Sequence, residues 1–323
     1  MNNYQFPVTE VKKQLAKARN ITILTHLNPD ADTIGTGLGI YNLLKQDKTK
    51  RVEIANASNM LPQYLDFLPS FKKIKHKIDF EDSLIIACDS GSINRLGFDL
   101  ENRKILNIDH HNSNEYYGTV NVVVDEYASA SQVAYRLFQK LYTIDAGTAT
   151  CFYAALLSDT RYFTTNSVND EVFKVAKELV DLGVDPASVA FNFTQRRALS
   201  SIRILERALG NLTLSSEGKI ATLFVTQDDI LATGASMPDI EGIVDYARSL
   251  VTVEIGLFAV ELEESIRISL RSKNVDVSKV ALAFGGGGHK VAAGFTVKQT
   301  TLHETIDTIL KKINKLGLLN GKS

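Results

Sequence analysis

The sequence predicts an α/β protein with two lobes: an N-terminal doubly wound, mostly parallel sheet and a smaller C-terminal α+β lobe with a mixed sheet. Up to about residue 186, apolar runs alternate with stretches at helical spacing, which is typical of a parallel sheet with helices on both faces. One run, Ser83–Cys88, is almost entirely apolar, as buried parallel strands are. The pattern changes near residue 211, so we expect domains at 1–186 and 211–323 joined by a helical connector at 187–210.

The elements of the first lobe follow from hydrophobic periodicity. Short apolar runs rich in β-branched residues predict strands at 21–24, 51–55, 83–88, 104–108 and 120–124. Apolar residues spaced three and four apart predict helices at 8–19, 33–46, 131–141, 146–157, 170–182 and 186–193. In such a sheet, ligands bind beyond the carboxyl ends of the strands, where the strand order reverses.

The second lobe begins with a hairpin signal, because Ser215–Lys219 separates two β-rich runs. Strands are predicted at 212–214, 220–225, 251–260, 266–271 and 292–297, and helices at 199–209 and 275–284. Arg196 and Arg197 precede the helix that bridges the lobes. They either meet a phosphate in an interlobe cleft or form a solvated helix face, and the sequence leaves both interpretations open.

Composition excludes several classes of protein. The 44% hydrophobic and 23% charged content is ordinary for a globular chain, and no run of about eighteen apolar residues or signal peptide predicts contact with a membrane. Cys88 and Cys151 both lie in apolar runs, which suits reduced thiols in the cytoplasm, the localisation we expect. A net charge of −1 argues against non-specific binding of long nucleic acid, including long duplex DNA.

One loop carries an unusual density of polar residues: His26, Asp30 and Asp32 follow the first predicted strand. The Asn28-Pro29 pair forces a turn there. Crowded carboxylates repel one another and are driven towards protonation unless a cation compensates them. Taken alone, the loop could also be a polar turn with an aspartate cap on the next helix.

Further polar residues follow other elements at the same predicted edge. Asp89 follows one strand, Asp109-His110-His111 follows the next, and Asp159 ends an apolar helix. Any one of them could be a cap or a turn former, but together with the first loop they predict one site. Carboxylates and imidazoles suit Mn²⁺ or Mg²⁺ better than a thiolate-preferring metal.

The predicted site suggests a two-metal hydrolase. Two divalent ions would balance the charge of four carboxylates: Asp30, Asp32, Asp89 and Asp159. Such ions lie roughly 3.5–4 Å apart, clamp a phosphate and hold the attacking water as hydroxide. No serine or cysteine nucleophile with a positioned base stands out, so a covalent mechanism is not needed.

A glycine run, Gly285–Gly288, precedes His289 in the second lobe. As a bare string it is typical of a flexible linker. The predicted strand at 292–297 follows it, however, so the run lies inside a domain. Glycines let backbone N–H groups approach an anion closely, which indicates a cradle for a phosphate or a ribose.

These motifs together resemble those of the DHH phosphoesterases. In order, the four motifs of the first lobe are His26–Asp32, Asp89, Asp109–His111 and Asp159. That superfamily includes RecJ-type exonucleases, family II pyrophosphatases, cyclic-dinucleotide phosphodiesterases and nanoRNases. The pairing of Ser269–Ser272 with the glycine run resembles the C-terminal domain associated with DHH enzymes, whereas family II pyrophosphatases carry a different second domain.

The resemblance implies a role for each motif residue. His26 and Asp30 would bind one metal, Asp32 and His110 the other, and both Asp89 and Asp159 would contact both ions. His111 would face the substrate phosphate, and Asp109 would orient the histidine pair. The catalytic set implied is Asp89, Asp109, His110, His111 and Asp159. Arg161 departs from the resemblance, because nanoRNases usually have a glycine at this position of the fourth motif.

In the second lobe the resemblance implies that Arg271 and His289 hold the terminal phosphate or nucleotide while the glycines close around it. The substrate-binding set implied is His111, Arg271, Ser272, Gly286, Gly287, Gly288 and His289.

The resemblance also implies an activity, with the active site in the cleft between the lobes. A manganese-dependent phosphoesterase similar to nanoRNases, with two ions per site and Mg²⁺ as the other candidate, would cleave short oligoribonucleotides to mononucleotides. It would also dephosphorylate 3′-phosphoadenosine 5′-phosphate (pAp), a nucleotide bisphosphate, to AMP. With so little net charge to hold a long strand, we expect substrates of about two to five nucleotides. The alternatives are a phosphodiesterase for cyclic dinucleotides or linear pApA, and a nucleotide-binding regulator without turnover. A homodimer is a further expectation.

Overall fold

A computed structural model describes residues 4–319. Residue contacts divide the chain into two units, the first ending at Arg196 and the second beginning at Arg197. The segment 187–210 that the sequence predicts as a connector is therefore divided between the units. The functional bounds 1–186, 187–210 and 211–323 stay a prediction.

The first unit contains a single parallel sheet with helices between its strands. Its elements are α1 (Val8–Lys17), β1 (Asn20–Thr25), α2 (Ala31–Leu44), β2 (Arg51–Ala55), β3 (Ile74–Lys75), β4 (Leu84–Cys88), β5 (Ile105–Asp109), β6 (Val120–Val123), α3 (Ala130–Phe138), α4 (Ala146–Asp159), α5 (Asp170–Asp181) and α6 (Pro186–Thr194). The strand order is β3-β2-β1-β4-β5-β6, and every described pair is parallel. Strand order reverses between β1 and β4, as in other doubly wound sheets, so the predicted fold class is confirmed.

The two faces of this sheet are covered differently. Helices α1 to α5 contribute to one apolar cluster with Ile21, Ile23 and Ile86 of the sheet. The opposite face, which includes Leu24 and Ile85, packs against residues of loop and 3₁₀ segments between 78 and 117. The expectation of helices on both faces is therefore wrong, because short irregular segments before and after β4 bury the second face.

Two glycines of α2 allow it to pack closely on α4. A Cβ atom on Gly35 would lie 2.6 Å from the carbonyl oxygen of Cys151, and one on Gly39 would lie 2.4 Å from the ring of Phe152. Gly35 stands one turn after Asp32, which is in the first turn of α2, and α4 ends at Asp159. The close packing of these helices therefore fixes where two predicted site residues lie.

The second unit is a separate α/β assembly around a mixed sheet. Its elements are α7 (Leu199–Gly210), β7 (Thr213–Ser215), β8 (Ile220–Val225), α8 (Gln227–Thr233), α9 (Met237–Ile240), α10 (Ile243–Ser249), β9 (Ile255–Leu262), β10 (Ser265–Ser272), α11 (Ser278–Ala283), β11 (Gly287–His289), β12 (Ala292–Lys298) and α12 (Leu302–Lys315). The strand order is β11-β12-β10-β9-β8-β7; β8 and β9 are parallel and the other pairs antiparallel. The predicted mixed sheet is confirmed.

Each face of the second sheet has its own core. Residues of α11 and α12 pack on one face with Leu257, Ile268 and Leu270. Residues of α7, α9 and α10 pack on the other face with Phe258 and Val260 of β9. Among the described helices, none is long and apolar enough to cross a membrane.

Candidate functional site

The first part of the candidate site is the loop after β1, where His26 and Asp30 lie at the strand-order reversal. Asp30 caps α2, because its Oδ1 accepts hydrogen bonds from the N–H groups of Asp32 at 3.0 Å and Thr33 at 3.1 Å. The cap does not exhaust this carboxylate, since His26 Nε2 lies 3.8 Å from the same oxygen. The other ring nitrogen of His26, Nδ1, lies 2.8 Å from the carbonyl oxygen of Leu27, which fixes the ring. Asp30 is therefore both a helix cap and a candidate ligand.

Asp89 follows β4 and lies between two imidazoles. Its Oδ2 is 3.4 Å from His26 Nε2, and its Oδ1 is 3.5 Å from His110 Nε2. Asp89 has a φ of 56°, a conformation that costs energy for a residue with a side chain and that clusters at functional sites. Its Oδ1 is buried and accepts no hydrogen bond from any residue between 4 and 319. A buried carboxylate oxygen without a hydrogen bond is costly unless something else binds it.

The third part of the site joins three different elements. His110 Nε2, after β5, lies 3.8 Å from Asp32 Oδ2 and 3.6 Å from Asp159 Oδ2. The buried carboxylate of Asp32 also accepts hydrogen bonds from the first N–H groups of α3, at Ala130 (2.7 Å) and Ser131 (3.2 Å). The positive end of this helix dipole therefore faces Asp32.

His111 is held by a buried hydrogen-bond network, and its ring also lies against that of His110, with the two ring centroids 4.6 Å apart. Its Nδ1 lies 2.7 Å from Asp109 Oδ1, which also accepts the backbone N–H of His110 at 2.8 Å. The second oxygen of Asp109 accepts a hydrogen bond from Asn114 Nδ2 at 2.5 Å. Asn114 was missed by the sequence reasoning, because an asparagine in a polar loop carries no signal of its own.

The pKa values show how this cluster balances its charge. Burial alone would lower the pKa of His26, but Asp30 and Asp89 raise it to about 10. Burial and nearby carboxylates raise the pKa of Asp159 to about 7, against the opposing effect of His110. Burial likewise opposes ionisation of Asp89, yet His110 and His26 hold its pKa below the usual range. Imidazolium–carboxylate pairing therefore stabilises the buried charges of this cluster.

A second candidate site is a cleft of about 430 Å³ in the second unit. It is lined by residues of β10, β11 and β12, including Arg267, Ser269, Arg271, Gly287 and Thr296. Of the predicted substrate-binding residues, Arg271, Gly287 and Gly288 line this cleft. His289 is exposed at the end of β11.

Ser272 and Gly286 have structural roles that are visible in the fold. The buried Ser272 hydroxyl donates a hydrogen bond to the carbonyl oxygen of Val275 at 2.5 Å. A Cβ atom on Gly286 would lie 2.3 Å from the carbonyl oxygen of Gly294, so packing alone requires glycine there. Their predicted roles in substrate binding stay predictions.

Gly287 and Gly288 differ in whether packing requires a glycine at the position. Gly288 has a φ of +140°, and a Cβ on it would lie 2.5 Å from the carbonyl oxygen of Ala292. Around Gly287, a Cβ would meet no heavy atom of the described chain within 4 Å, and its φ is not positive. The described fold therefore explains the glycine at 288 but gives no reason for the one at 287.

Family models match both units. A model described as "DHH family, N-terminal domain" matches residues 20–157, and one described as "DHHA1 domain" matches residues 217–316. Between them they match more than half of the chain. The chain belongs to the DHH family.

Two known proteins match this DHH protein over nearly their full length, and a third matches over about half of its own length. The bifunctional oligoribonuclease and PAP phosphatase NrnA of Thermus thermophilus is 29% identical over 91% of this chain and 89% of its own length. A solved exopolyphosphatase-related protein from Bacteroides fragilis is 26% identical, covers 96% of both chains and superposes with a TM-score of 0.88. RecJ of Thermus thermophilus, solved with Mn²⁺, is 14% identical, covers 94% of this chain and 53% of its own and has a TM-score of 0.56, which shows a shared fold.

The candidate metal ligands of this DHH protein form three overlapping groups, each with donor atoms within 4.8 Å of one another. The groups are His26 with Asp30 and Asp89, Asp32 with His110 and Asp159, and Asp89 with His110 and His111. Asp89 and His110 are each shared by two groups, whereas Asp159 belongs only to the group of Asp32 and His110. These oxygen and nitrogen donors fit a hard or borderline divalent cation. The unsatisfied Asp89 Oδ1 fits the same conclusion, so this cluster could bind metal.

Proposed function

We propose that this DHH protein is a metal-dependent phosphoesterase that hydrolyses short oligoribonucleotides to mononucleotides and dephosphorylates pAp to AMP. The observation that carries the proposal is the position of Asp89, which lies between His26 and His110 at the point where strand order reverses. The relatives named oligoribonuclease and PAP phosphatase support the choice of substrates.

Two Mn²⁺ ions are the proposed cofactor, with Mg²⁺ as the alternative. His26, Asp30 and Asp89 would hold one ion, and Asp32, His110 and Asp159 the other, with Asp89 reaching both groups. Such ions, when bound, polarise a phosphate and lower the pKa of a bound water. Asp89 and His110 each belong to two of the three groups, and Asp89 is the one that faces both proposed ion positions with separate atoms, Oδ2 towards His26 and Oδ1 towards His110.

His111 is the proposed contact to the reacting phosphate. Its Nδ1 points to Asp109 Oδ1, which leaves Nε2 directed away from that carboxylate. Burial would lower the pKa of His111, but the hydrogen bond with Asp109 raises it. A raised pKa favours the imidazolium form, in which Nδ1–H faces Asp109 and Nε2–H can be donated to a phosphate oxygen. Asn114 positions Asp109 and, through it, the imidazole.

In the second unit, we assign Arg271 to a phosphate of the substrate that does not react. Its Nη1 donates a hydrogen bond to the carbonyl oxygen of Leu270 at 3.0 Å, which orients the guanidinium at the cleft. A guanidinium binds phosphate through paired charge-assisted hydrogen bonds. Gly287 lets the substrate approach the backbone, and His289 stays a proposed partner.

The test is a rate panel with Mn²⁺, with Mg²⁺ and with EDTA. Substrates are pAp, pApA, cyclic di-AMP and RNAs of about two to five and well above ten nucleotides. We expect manganese-dependent turnover that is highest for pAp and the short RNAs. Preference for cyclic di-AMP would favour a cyclic-dinucleotide phosphodiesterase instead. Absence of turnover with every metal would favour a nucleotide-binding regulator.

The compartment and the assembly are also proposals. Both cysteines are buried free thiols, which supports the reducing cytoplasm as the location. A homodimer would be detected by light scattering of the purified protein.

A further inference from the structure

The cleft in the second unit contains an arginine that the proposed role of Arg271 does not use. Arg267 lies on β10, is exposed and lines the same cleft. Its guanidinium makes no hydrogen bond or ion pair with any residue between 4 and 319. A cation that lines a cleft without a partner is available to an anionic ligand.

Strand geometry places Arg267 and Arg271 in one row. Burial alternates along β10: Ile266, Ile268 and Leu270 are buried, whereas the residues between them are not. Side chains two residues apart in a strand point to the same face, so Arg267, Ser269 and Arg271 share the face that carries the cleft.

The face of the second sheet that carries Arg267, Ser269 and Arg271 is apolar where helices cover it and polar where they do not. Directly opposite Arg267 and Ser269 on β9 stand Val260 and Phe258, which pack in the core with α7, α9 and α10. Opposite them on β12 stand Thr296 and Gly294, which line the cleft. Thr296 is exposed, so this side of β10 offers hydroxyl groups and space rather than an apolar packing surface.

The spacing of the two arginines sets the kind of ligand that can reach both. Four residues of extended strand separate their Cα atoms by about 13 Å. That distance exceeds the span between neighbouring phosphates of a nucleotide chain, and it corresponds to phosphates separated by two nucleotides. Because strand side chains stand roughly perpendicular to the sheet, the two guanidinium groups are expected to be a comparable distance apart. The two neighbouring phosphates of pAp or pApA would not span that distance.

We propose that Arg267, with Ser269 and Thr296, forms a second phosphate subsite that binds oligonucleotides of three or more nucleotides and is left empty by pAp and dinucleotides. This inference rests on the proposed function and assigns a substrate-length determinant to it. Beyond Arg267 the row ends at the β9–β10 turn, where Glu263 and Glu264 are both exposed. Their carboxylates repel a further phosphate, so the subsite favours short chains.

The test compares Arg267→Ala with the wild type on pAp, pApA and 5′-phosphorylated pApApA. We expect kcat/KM for pApApA to fall by about tenfold or more, because a charge-assisted contact is lost, while values for pAp and pApA change by less than about twofold. Arg271→Ala should lower kcat/KM for all three substrates. Arg207 is an exposed arginine on α7, and Arg207→Ala is the matched control, which should leave kcat/KM unchanged for all three substrates.

Calorimetry in EDTA measures binding by the full chain without turnover. The wild type should bind pApApA more tightly than pApA, with a steeper dependence of log Kd on log salt, by about 0.7 for one more phosphate contact on a single strand. Arg267→Ala should abolish that difference in slope. Arg267→Lys should restore the slope but only part of the affinity, because an ammonium keeps the charge without the paired geometry.

The outcomes separate this inference from the proposed function. An equal loss of kcat/KM for pAp, pApA and pApApA in Arg267→Ala would overturn the second subsite, since Arg267 would then act on the same phosphate as Arg271. An unchanged rate and unchanged salt slope for pApApA would overturn it as well. If the wild type turns over no substrate, the proposed function fails, and the calorimetric difference between pApApA and pApA still decides whether the subsite exists.

Discussion

Replacing Gly287 by alanine tests whether the second unit binds substrate through its glycine-lined cleft. The added Cβ would meet no described heavy atom within 4 Å, and the backbone there has no positive φ. The free energy of unfolding should therefore change by less than about 1 kcal/mol, and an alanine even reduces the entropy of the unfolded chain. A methyl group directed at a bound phosphate should cost about 1–3 kcal/mol of binding, as overpacking does in other close contacts. This corresponds to a loss of about 5- to 150-fold in kcat/KM.

Two neighbouring glycines supply the controls. In Gly286→Ala the Cβ would lie 2.3 Å from the carbonyl oxygen of Gly294, and Gly288→Ala combines a φ of +140° with a contact of 2.5 Å to Ala292. Both variants should lower the unfolding midpoint in urea, whereas Gly287→Ala should not. The assay is kcat/KM for pAp, followed beside bis-p-nitrophenyl phosphate, a small ester that has no terminal phosphate to bind. If Gly287→Ala keeps full kcat/KM for pAp at unchanged stability, the substrate does not approach this backbone and the cradle interpretation is wrong.

Four further predictions concern the first unit and its division of labour with the second. Asp89→Ala should leave less than about a tenth of wild-type kcat, a loss of at least about 1.4 kcal/mol of transition-state stabilisation, and a more active variant would contradict the shared-ligand role. Metal binding at pH 7 should release protons, because His26, with a pKa of about 10, is protonated without metal and must become neutral to coordinate. Titration calorimetry in HEPES and in Tris should therefore give different apparent binding enthalpies, and the metal affinity should rise with pH. Gly35→Ala should lower the thermal midpoint and weaken manganese binding together, since its Cβ would lie 2.6 Å from Cys151 on α4 and displace the helix that ends at Asp159. Arg271→Ala should lower kcat/KM for pAp by the equivalent of about 2–4 kcal/mol but change it little for bis-p-nitrophenyl phosphate. Its manganese affinity should match that of the wild type, and loss of manganese binding would mean that the second unit contributes to the metal site.

The sequence was sufficient to predict the elements that carry the candidate metal ligands, for a physical reason. Buried parallel strands such as β4 are continuous apolar runs, and a polar residue directly after one must lie at the edge of the sheet. Asp89 and the Asp109–His111 group could therefore be placed before the structure was known. The same periodicity did not reveal Asn114, because its role depends on a contact with Asp109 that no local pattern encodes.

Prediction was weaker in the second unit. Helices α8 to α10 and α12 were not predicted, and β9 begins at Ile255 rather than at residue 251. Val251 continues the β-branched pattern of the strand but is 94% exposed in the turn before it, where packing overrides propensity. Arg267 was also missed, although it shares a period of two with Ser269 and Arg271 that could have identified it.

Folding and chemistry share side chains in the first unit, and this decides which variants are informative. Asp30 caps α2, and Asp32 accepts the first N–H groups of α3, so replacing either removes a helix cap or a buried hydrogen bond as well as a candidate ligand. Asp89 differs, because its buried Oδ1 accepts no hydrogen bond from the described chain. Removing that carboxylate deletes no helix cap, but it takes the charge partner away from His26 and His110, so the metal-free fold should lose stability as well. An Asp89→Asn variant keeps the size and polarity of the side chain, and a variant that folds and fails to bind manganese would separate the role of Asp89 in metal binding from its role in stability.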